Sequence, residues 1–428
     1  MSKPFHVAIV GGGLCGLSLA IALAKRNISY TLYESRASFT EIGAGINLGP
    51  NTVQTLDLID SKLGEAVHEL ATRNVDQDVW MQIRFGAATD NFKDAEFITN
   101  LMAPPTGNMT VHRNDLLQIL ANQIQPDRAV FNKKLTGLEQ SDQDVTLHFA
   151  DGTQGTASIV VACDGVHSAA RKTLFGADSP TSMPQYSGMG AFRAIIDKQA
   201  LTDAIGAEMA STSQIHVNRD AYLIMYPIER GKSVNVGLWT WWKGPWEQKE
   251  WVLPSQGKAM REKFAHFGPV VHQIMNLMPD PPFFGTFYHA SQPASLFNNR
   301  VCIIGDAAHS MPPHQGAGAG QAMEDAYVMA EVLRGIDNQN PTSAHIHAAF
   351  QGYEAVRRPR SQRILETSVE NAHVWTEFWR PDVTDQDVQE FVDRLNRRFR
   401  SIWNVDIAAE AKKACDVMHE LQGSIVDV

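Results

Sequence analysis

The chain has little of what several functional classes require. Its four cysteines (Cys15, Cys163, Cys302 and Cys415) stand far apart with no CxxC pair, so neither a disulfide framework nor a zinc site is signalled. No His, Cys and carboxylate group has metal-ligand spacing, and no GxSxG elbow points to a hydrolase. No apolar run reaches the ~20 residues of a membrane helix. Long Lys/Arg runs are missing too, and 37 basic residues against 47 acidic ones give a formal charge of −10. Such a chain is a poor binder of nucleic acid or of an anionic membrane surface. Lys3 and the apolar residues up to Ala24 resemble a secretory leader, but three glycines at 11–13 interrupt them. The last four residues, Ile425 to Val428, carry no peroxisomal or prenylation tag, so a cytoplasmic protein without metal is expected.

What is present is ordinary globular composition, 44% hydrophobic and 20% charged over 428 residues, enough for two or three domains. Residues 5–10 form an apolar run of strand length. A glycine turn follows, then a Leu/Ala-rich helix over Leu14–Arg26 and a second β-rich run, Ser29–Glu34. Strand, turn, helix and strand within about thirty residues make a βαβ unit. Its glycines, Gly11, Gly13 and Gly16, have GxGxxG spacing, and Glu34 lies eighteen residues past the last of them. Gly11 permits the turn, Gly13 lets backbone approach a pyrophosphate, and Gly16 lets helix and sheet pack closely. The helix N-terminus offers unpaired N–H groups to phosphates, and Glu34 can accept from an adenosine ribose. A dinucleotide is expected, FAD or a nicotinamide.

Further along, Ala221–Pro227 and Ser233–Trp241 alternate around Arg230-Gly231-Lys232, which predicts an antiparallel hairpin. Residues 318–335, 344–378 and 385–420 look helical. The whole reads as a dinucleotide fold interrupted by a sheet-rich insertion and followed by a helical tail.

Two more segments narrow the cofactor. Cys163-Asp164-Gly165-Val166-His167-Ser168-Ala169-Ala170-Arg171 follows one strand-like run; Gly305-Asp306-Ala307-Ala308-His309 follows another and leads into Pro312-Pro313-His314-Gln315-Gly316-Ala317-Gly318-Ala319-Gly320-Gln321-Ala322-Met323-Glu324-Asp325-Ala326. With the N-terminal glycines, these resemble the three signatures of single-component FAD-dependent aromatic hydroxylases (group A flavoprotein monooxygenases), over residues 5 to about 365. The His-Gln-Gly-Ala-Gly-Ala-Gly-Gln run looks most like the salicylate-hydroxylase-like branch.

The resemblance implies an α/β fold similar to para-hydroxybenzoate hydroxylase: a Rossmann-type FAD-binding domain (1–74, 102–176 and 296–360), an inserted antiparallel-sheet substrate domain (75–101 and 177–295) and a C-terminal helical region (361–428). FAD is expected to be non-covalent, with NADH or NADPH a transient co-substrate, because no second βαβ GxGxxG is present. Asp306 would accept from the ribityl chain, and Gly318 and Ala319 would bring a helix N-terminus to the flavin edge where reduction leaves negative charge. Asp164 is linked to flavin and nicotinamide handling, or with Arg171 makes a structural ion pair. Arg113 would meet FAD opposite the glycine turn, and Ala44 and Gly45 would pass the isoalloxazine.

The implied activity is hydroxylation of a phenol by oxygen delivered from a flavin C4a-hydroperoxide. Salicylate to catechol with loss of CO2 is the leading expectation. The alternatives are a dearomatising hydroxylase of a resorcinol-type aldehyde, a flavin-binding redox protein without hydroxylation, and a plain nicotinamide dehydrogenase. Arg193, on an otherwise apolar strand-like stretch, needs an anionic partner, which is either the substrate or a structural carboxylate. Tyr226 resembles a position from which related enzymes present a phenol to substrate, or it packs in the sheet. Trp239 and Trp241 share a strand face that borders the pocket or its rim, and His309 and His314 flank the flavin motif as acid/base or structural groups. A homodimer is compatible with this reading.

Overall fold

The computed structural model describes residues 4–40, 45–242, 244–247, 250–254, 256–279, 283–289, 293–336 and 341–426. Gly43 and Ala44 lie outside the described residues.

Val7–Val10 is buried at every position and pairs in parallel with Tyr30–Tyr33 on one side and Ile159–Ala162 on the other. An uninterrupted apolar run suits such a strand, because both faces of a parallel sheet are covered. Val301–Ile303 extends the sheet beyond Ile159–Ala162, Phe297–Asn298 caps that edge antiparallel, and Ala129–Val130 closes the other. The helix Leu14–Lys25 is buried from Leu14 to Leu23, with the helix Gly318–Arg334 packed along it. A small antiparallel sheet, Leu135–Gln140, Val145–Phe149 and Gln154–Ala157, is attached.

A second, eight-stranded sheet runs in the order Val252–Leu253, Phe283–His289, Gln185–Asp197, Ser233–Trp241, Ala221–Ile228, Gln214–Asn218, Val79–Phe85 and Phe97–Met102. The expected hairpin is there, with Glu229 and Arg230 at positive φ in its turn. Strand alternation sends Phe192, Leu223, Val236 and Leu238 to one face, against the helices Lys198–Ile205 and Pro269–Asn276. Ala191, Trp239, Tyr222, Val217 and Phe85 take the other face, toward Trp375, Phe391 and Phe399 of the C-terminal helices.

The helix Ser343–Glu377 is 35 residues long, about 50 Å at 1.5 Å per residue, and opens on a Thr342–His345 capping box. It reaches from the parallel sheet's helices to the large sheet, where Thr376 accepts from Trp241 Nε1 at 3.0 Å. The stretch 385–420 forms two helices, Asp385–Trp403 and Ile407–Val426, separated at Asn404, which leaves helical geometry (ψ 71°). Asp406 then accepts from Ala409 N–H, a side-chain cap that starts the last helix.

Candidate active site

The first group of site residues gathers at the carboxyl ends of the parallel strands, where open α/β sheets bind ligands. Gly11 has φ +103°, and a Cβ there would stand 2.5 Å from Cys163 O; a Cβ on Gly16 would meet Gly11 O at 1.9 Å. Both are therefore glycine for conformation and close packing. Gly13 heads its helix with no side-chain cap. Glu34, nearly buried, accepts from Gly12 N–H through Oε2 (2.7 Å) and from Arg36 N–H (2.7 Å) and the Ser35 hydroxyl (3.1 Å) through Oε1. The carboxylate thus holds the glycine turn against the second strand and keeps lone pairs for a ribose.

Asp164 accepts from the Ser168 hydroxyl (2.5 Å), Ala169 N–H (2.8 Å) and Ala170 N–H (3.1 Å), so it caps the helix Ala169–Phe175. Burial pushes its pKa up, while these bonds pull it back. Arg171 donates to the carbonyls of Ala307 and Ala308 at 2.9 Å each, which ties the second motif to the third. Asp306 opens the turn Asp306–His309 with an exposed side chain, just beyond the strand Val301–Ile303.

Behind that turn lies a buried ionic cluster that joins His309, Glu324 and Asp325 of the third motif to Arg357 and Arg360, a pairing the motif's spacing did not show. Asp325 accepts from Gly305 N–H (2.8 Å), His309 Nε2 (2.5 Å) and Arg357 Nε (2.8 Å). Glu324 accepts from Arg357, Arg360 and Asn51. The cations hold both carboxyls below the usual range despite full burial. His309 belongs to this cluster, so its carboxylate partner fixes the turn that carries Asp306.

The glycine run splits into distinct roles. Gly316 is at φ +64°, against Trp80, and a Cβ on Gly320 would lie 2.3 Å from Thr52 Oγ1, so Gly320 is glycine for helix packing. A Cβ on Gly318 would touch only Met311, at an ordinary 3.7 Å. Its helix also begins at Ala317 without a side-chain cap, and Ala319 is half-buried. Two uncapped glycine-rich helix starts and an exposed Asp306 carboxylate fit a dinucleotide with a large anionic head. Glu34 and the Gly13 helix could hold its adenosine and phosphates, and Asp306 and the Gly318 helix its flavin end.

The second group lines the large sheet's inner face. Arg193 is ringed by protein yet its side chain stays open to solvent, as expected of a residue lining a cleft. Desolvation lowers its pKa, Tyr226 and Tyr222 raise it, and Arg113 lowers it. Arg113 therefore faces the same region, at the start of the helix Arg113–Ala121. Tyr226 donates to Gly45 O at 2.8 Å, and burial pushes its pKa up to about 12. Gly45 is glycine because a Cβ would meet the Tyr226 ring at 2.5 Å. Tyr226 thus anchors the chain entering the strand Gly45–Leu48, and hydrogen bonds from the Asn47 and Asn235 side chains to its oxygen oppose the rise in its pKa.

The sequence reading passed over Tyr222. Its hydroxyl stands 2.7 Å from His314 Nδ1, its ring lies parallel to Trp239 at 5.8 Å, and both Tyr222 and His314 are buried. His314 is held by its backbone carbonyl, which accepts from Asn371 and from Trp375 Nε1 at 3.0 Å each. Burial drops its pKa to about 3, with His373 adding to the effect. Tyr222, His314, Trp239, Trp80, Trp375 and Phe399 enclose a cavity of about 30 Å³ beside the loop that precedes the glycine helix. The Tyr222–His314 contact spans 92 residues and arises where the loop before the glycine helix packs on the large sheet. Among the described residues no His/Cys/Asp/Glu group could hold a metal, and no helix is long and apolar enough to cross a membrane.

Comparison with known proteins agrees with this geometry. Residues 5–368 match the family described as FAD binding domain. The chain is 33% identical to the FAD-dependent monooxygenase pigN of Monascus ruber over 94% of each chain. It is 31% identical to a salicylate hydroxylase of Pseudomonas putida, over 96% of this chain and 94% of that one. A solved salicylate hydroxylase substrate complex superposes with a TM-score of 0.84 at 29% identity, covering 96% of this chain and 98% of the other. The chain belongs to this FAD-binding family and is an FAD-dependent aromatic monooxygenase of the salicylate hydroxylase type.

Proposed function

We propose that the substrate is salicylate or a close ortho-hydroxybenzoate, converted to catechol with loss of its carboxyl group. The observation that carries this reading is Arg193, an exposed guanidinium on the same sheet face as the Tyr222–His314 pair. One polar end of the pocket is cationic and the other is a neutral hydrogen-bonding pair, which matches a carboxylate next to a phenol. The resemblance to salicylate hydroxylases supports the same choice.

Bound FAD supplies reducing equivalents from NAD(P)H to O2 and, with them, an electrophilic oxygen. In balance, salicylate, NAD(P)H, O2 and two protons give catechol, CO2, water and NAD(P)+. The chain's own residues do the rest. Arg193 holds the carboxylate, and its charge favours the ionised phenol. His314 rests neutral, and Tyr222 fixes its ring through Nδ1, so the pair is a polar partner beside the phenol. Trp80, Trp239, Trp375 and Phe399 give the space beside His314 an apolar, aromatic wall. Glu34, Asp306, Gly318, Ala319, Arg113 and Asp164 serve the cofactor side, Asp164 and Arg171 through the turns they brace.

A panel of hydroxybenzoates and resorcylaldehydes, scored by product mass, tests the assignment. Catechols in which a hydroxyl has replaced the carboxyl of the parent acid, a net loss of CO in mass, support it. Products formed only from the aldehydes, with all ring carbons and substituents retained, overturn it in favour of dearomatising hydroxylation.

A further inference from the structure

On the inner face of the large sheet, strand register sets Arg193 opposite Gly237, and Gly237 opposite Ile224. The next inward row is Ala191, Trp239 and Tyr222. Arg193 therefore faces a residue without a side chain, and that space is taken by the Trp239 indole leaning back along its own strand. A Cβ on Gly237 would lie 2.9 Å from Trp239 Nε1 and 3.2 Å from Ile224 Cγ2. The indole, 5% exposed, has the Arg193 guanidinium 5.6 Å from its ring centroid and Tyr222 parallel to it within 4° on the neighbouring strand. His314 packs edge-on to the same indole, 5.2 Å away.

We propose that Trp239 is a positioning residue for the anion-holding Arg193, and that Gly237 is glycine so that the indole can reach it. Strand geometry alone would leave a long arginine with many rotamers beside an empty position. A flat aromatic face attracts the cation and limits it to one side. Through Tyr222, the same ring joins the guanidinium to His314, so the cationic and neutral polar ends of the pocket keep a fixed separation. This suits a substrate whose carboxylate and phenol are rigidly adjacent. The inference rests on the assignment of Arg193 to the substrate's carboxylate.

The test compares salicylate with its neutral amide, 2-hydroxybenzamide, as ligands of the FAD-loaded enzyme, with binding followed by the flavin absorbance change and KM and kcat measured for salicylate. Trp239→Leu should weaken salicylate binding by about two- to thirtyfold beyond whatever loss the amide shows from the trimmed pocket wall, the range of a cation–π contact. Trp239→Phe should restore much of the preference, since it keeps a π face. Gly237→Ala, which leaves the indole in the chain but pushes it off its seat, should lose preference as Trp239→Leu does, with KM affected more than kcat. Equal loss for both ligands in these variants would make Trp239 a wall of the pocket and overturn the inference. If Arg193→Gln abolishes the preference while Trp239→Leu and Gly237→Ala keep it, Arg193 holds the anion without help, and only the inference falls. A wild-type enzyme that does not prefer the carboxylate overturns both the inference and the substrate assignment beneath it.

Discussion

Because both Glu34 oxygens already hold the glycine turn and the chain that follows, removing them loosens the turn as well as the ribose contact. Glu34→Ala should weaken FAD about ten- to a hundredfold, the value of a charge-assisted bond of roughly 1.5–3 kcal/mol. Titration of apoprotein with FAD reads it, and unchanged affinity would remove Glu34 from the site. At the other end of the pocket, Arg193→Gln should raise KM for salicylate at least about tenfold with normal FAD content. Arg193→Lys should recover only part, because an ammonium lacks the guanidinium fork. A fall in melting temperature and FAD retention with unchanged KM would mark Arg193 as a structural cation instead. Single residues were legible where local backbone dictates the type, as at Gly11 and Gly16; Glu34 and Arg193 stood out by charge, and the variants above test their roles. Tyr222 was not, since a tyrosine on an alternating strand looks like any other core aromatic until the loop before the glycine helix packs His314 against it.

Elements were legible where periodicity is strong. The helix expected at 318–335 occupies Gly318–Arg334, and that expected at 344–378 occupies Ser343–Glu377. The expected helix at 385–420 divides at Asn404 because an Asp406 cap restarts the chain, a local competition that hydrophobic period does not report. The ionic cluster joins His309, Glu324 and Asp325 of one motif to Arg357 on the next long helix, and no spacing within either segment reveals that pairing. The glycine helix gives a contrast that separates packing from ligand approach. Gly318→Val meets only Met311, its Cβ at an ordinary contact distance, and should fold with its stability intact while losing flavin or coupling between NAD(P)H oxidation and hydroxylation. Gly320→Val would drive a side chain into Thr52 and should lower the melting temperature whether or not FAD is bound. Full flavin content and tight coupling in Gly318→Val would show that this helix start does not meet the ring.

At the scale of the whole molecule, two buried histidines set a pH dependence. His314 and His216 both have pKa values near 3, each lowered mainly by burial, against about 6.5 in an unfolded chain. The unfolded state binds their protons first, so folding stability is intact above pH ~6.5 and falls as pH drops toward ~3. The slope is about 1.4 kcal/mol per pH unit for each ring. Urea unfolding between pH 6 and 4 should therefore show proton uptake, and His216→Gln, away from the cavity, should reduce that slope by about one proton. An identical slope in the variant would mean that His216 is protonated in the folded protein.

The most direct measurement of the central claim supplies salicylate, NAD(P)H and ¹⁸O2 to the FAD-loaded enzyme and examines product and gas together. Decarboxylative hydroxylation yields catechol carrying one ¹⁸O atom and one CO2 per NAD(P)H oxidised in coupled turnover. Catechol without label, or NAD(P)H oxidation that returns only hydrogen peroxide and intact salicylate, would contradict it.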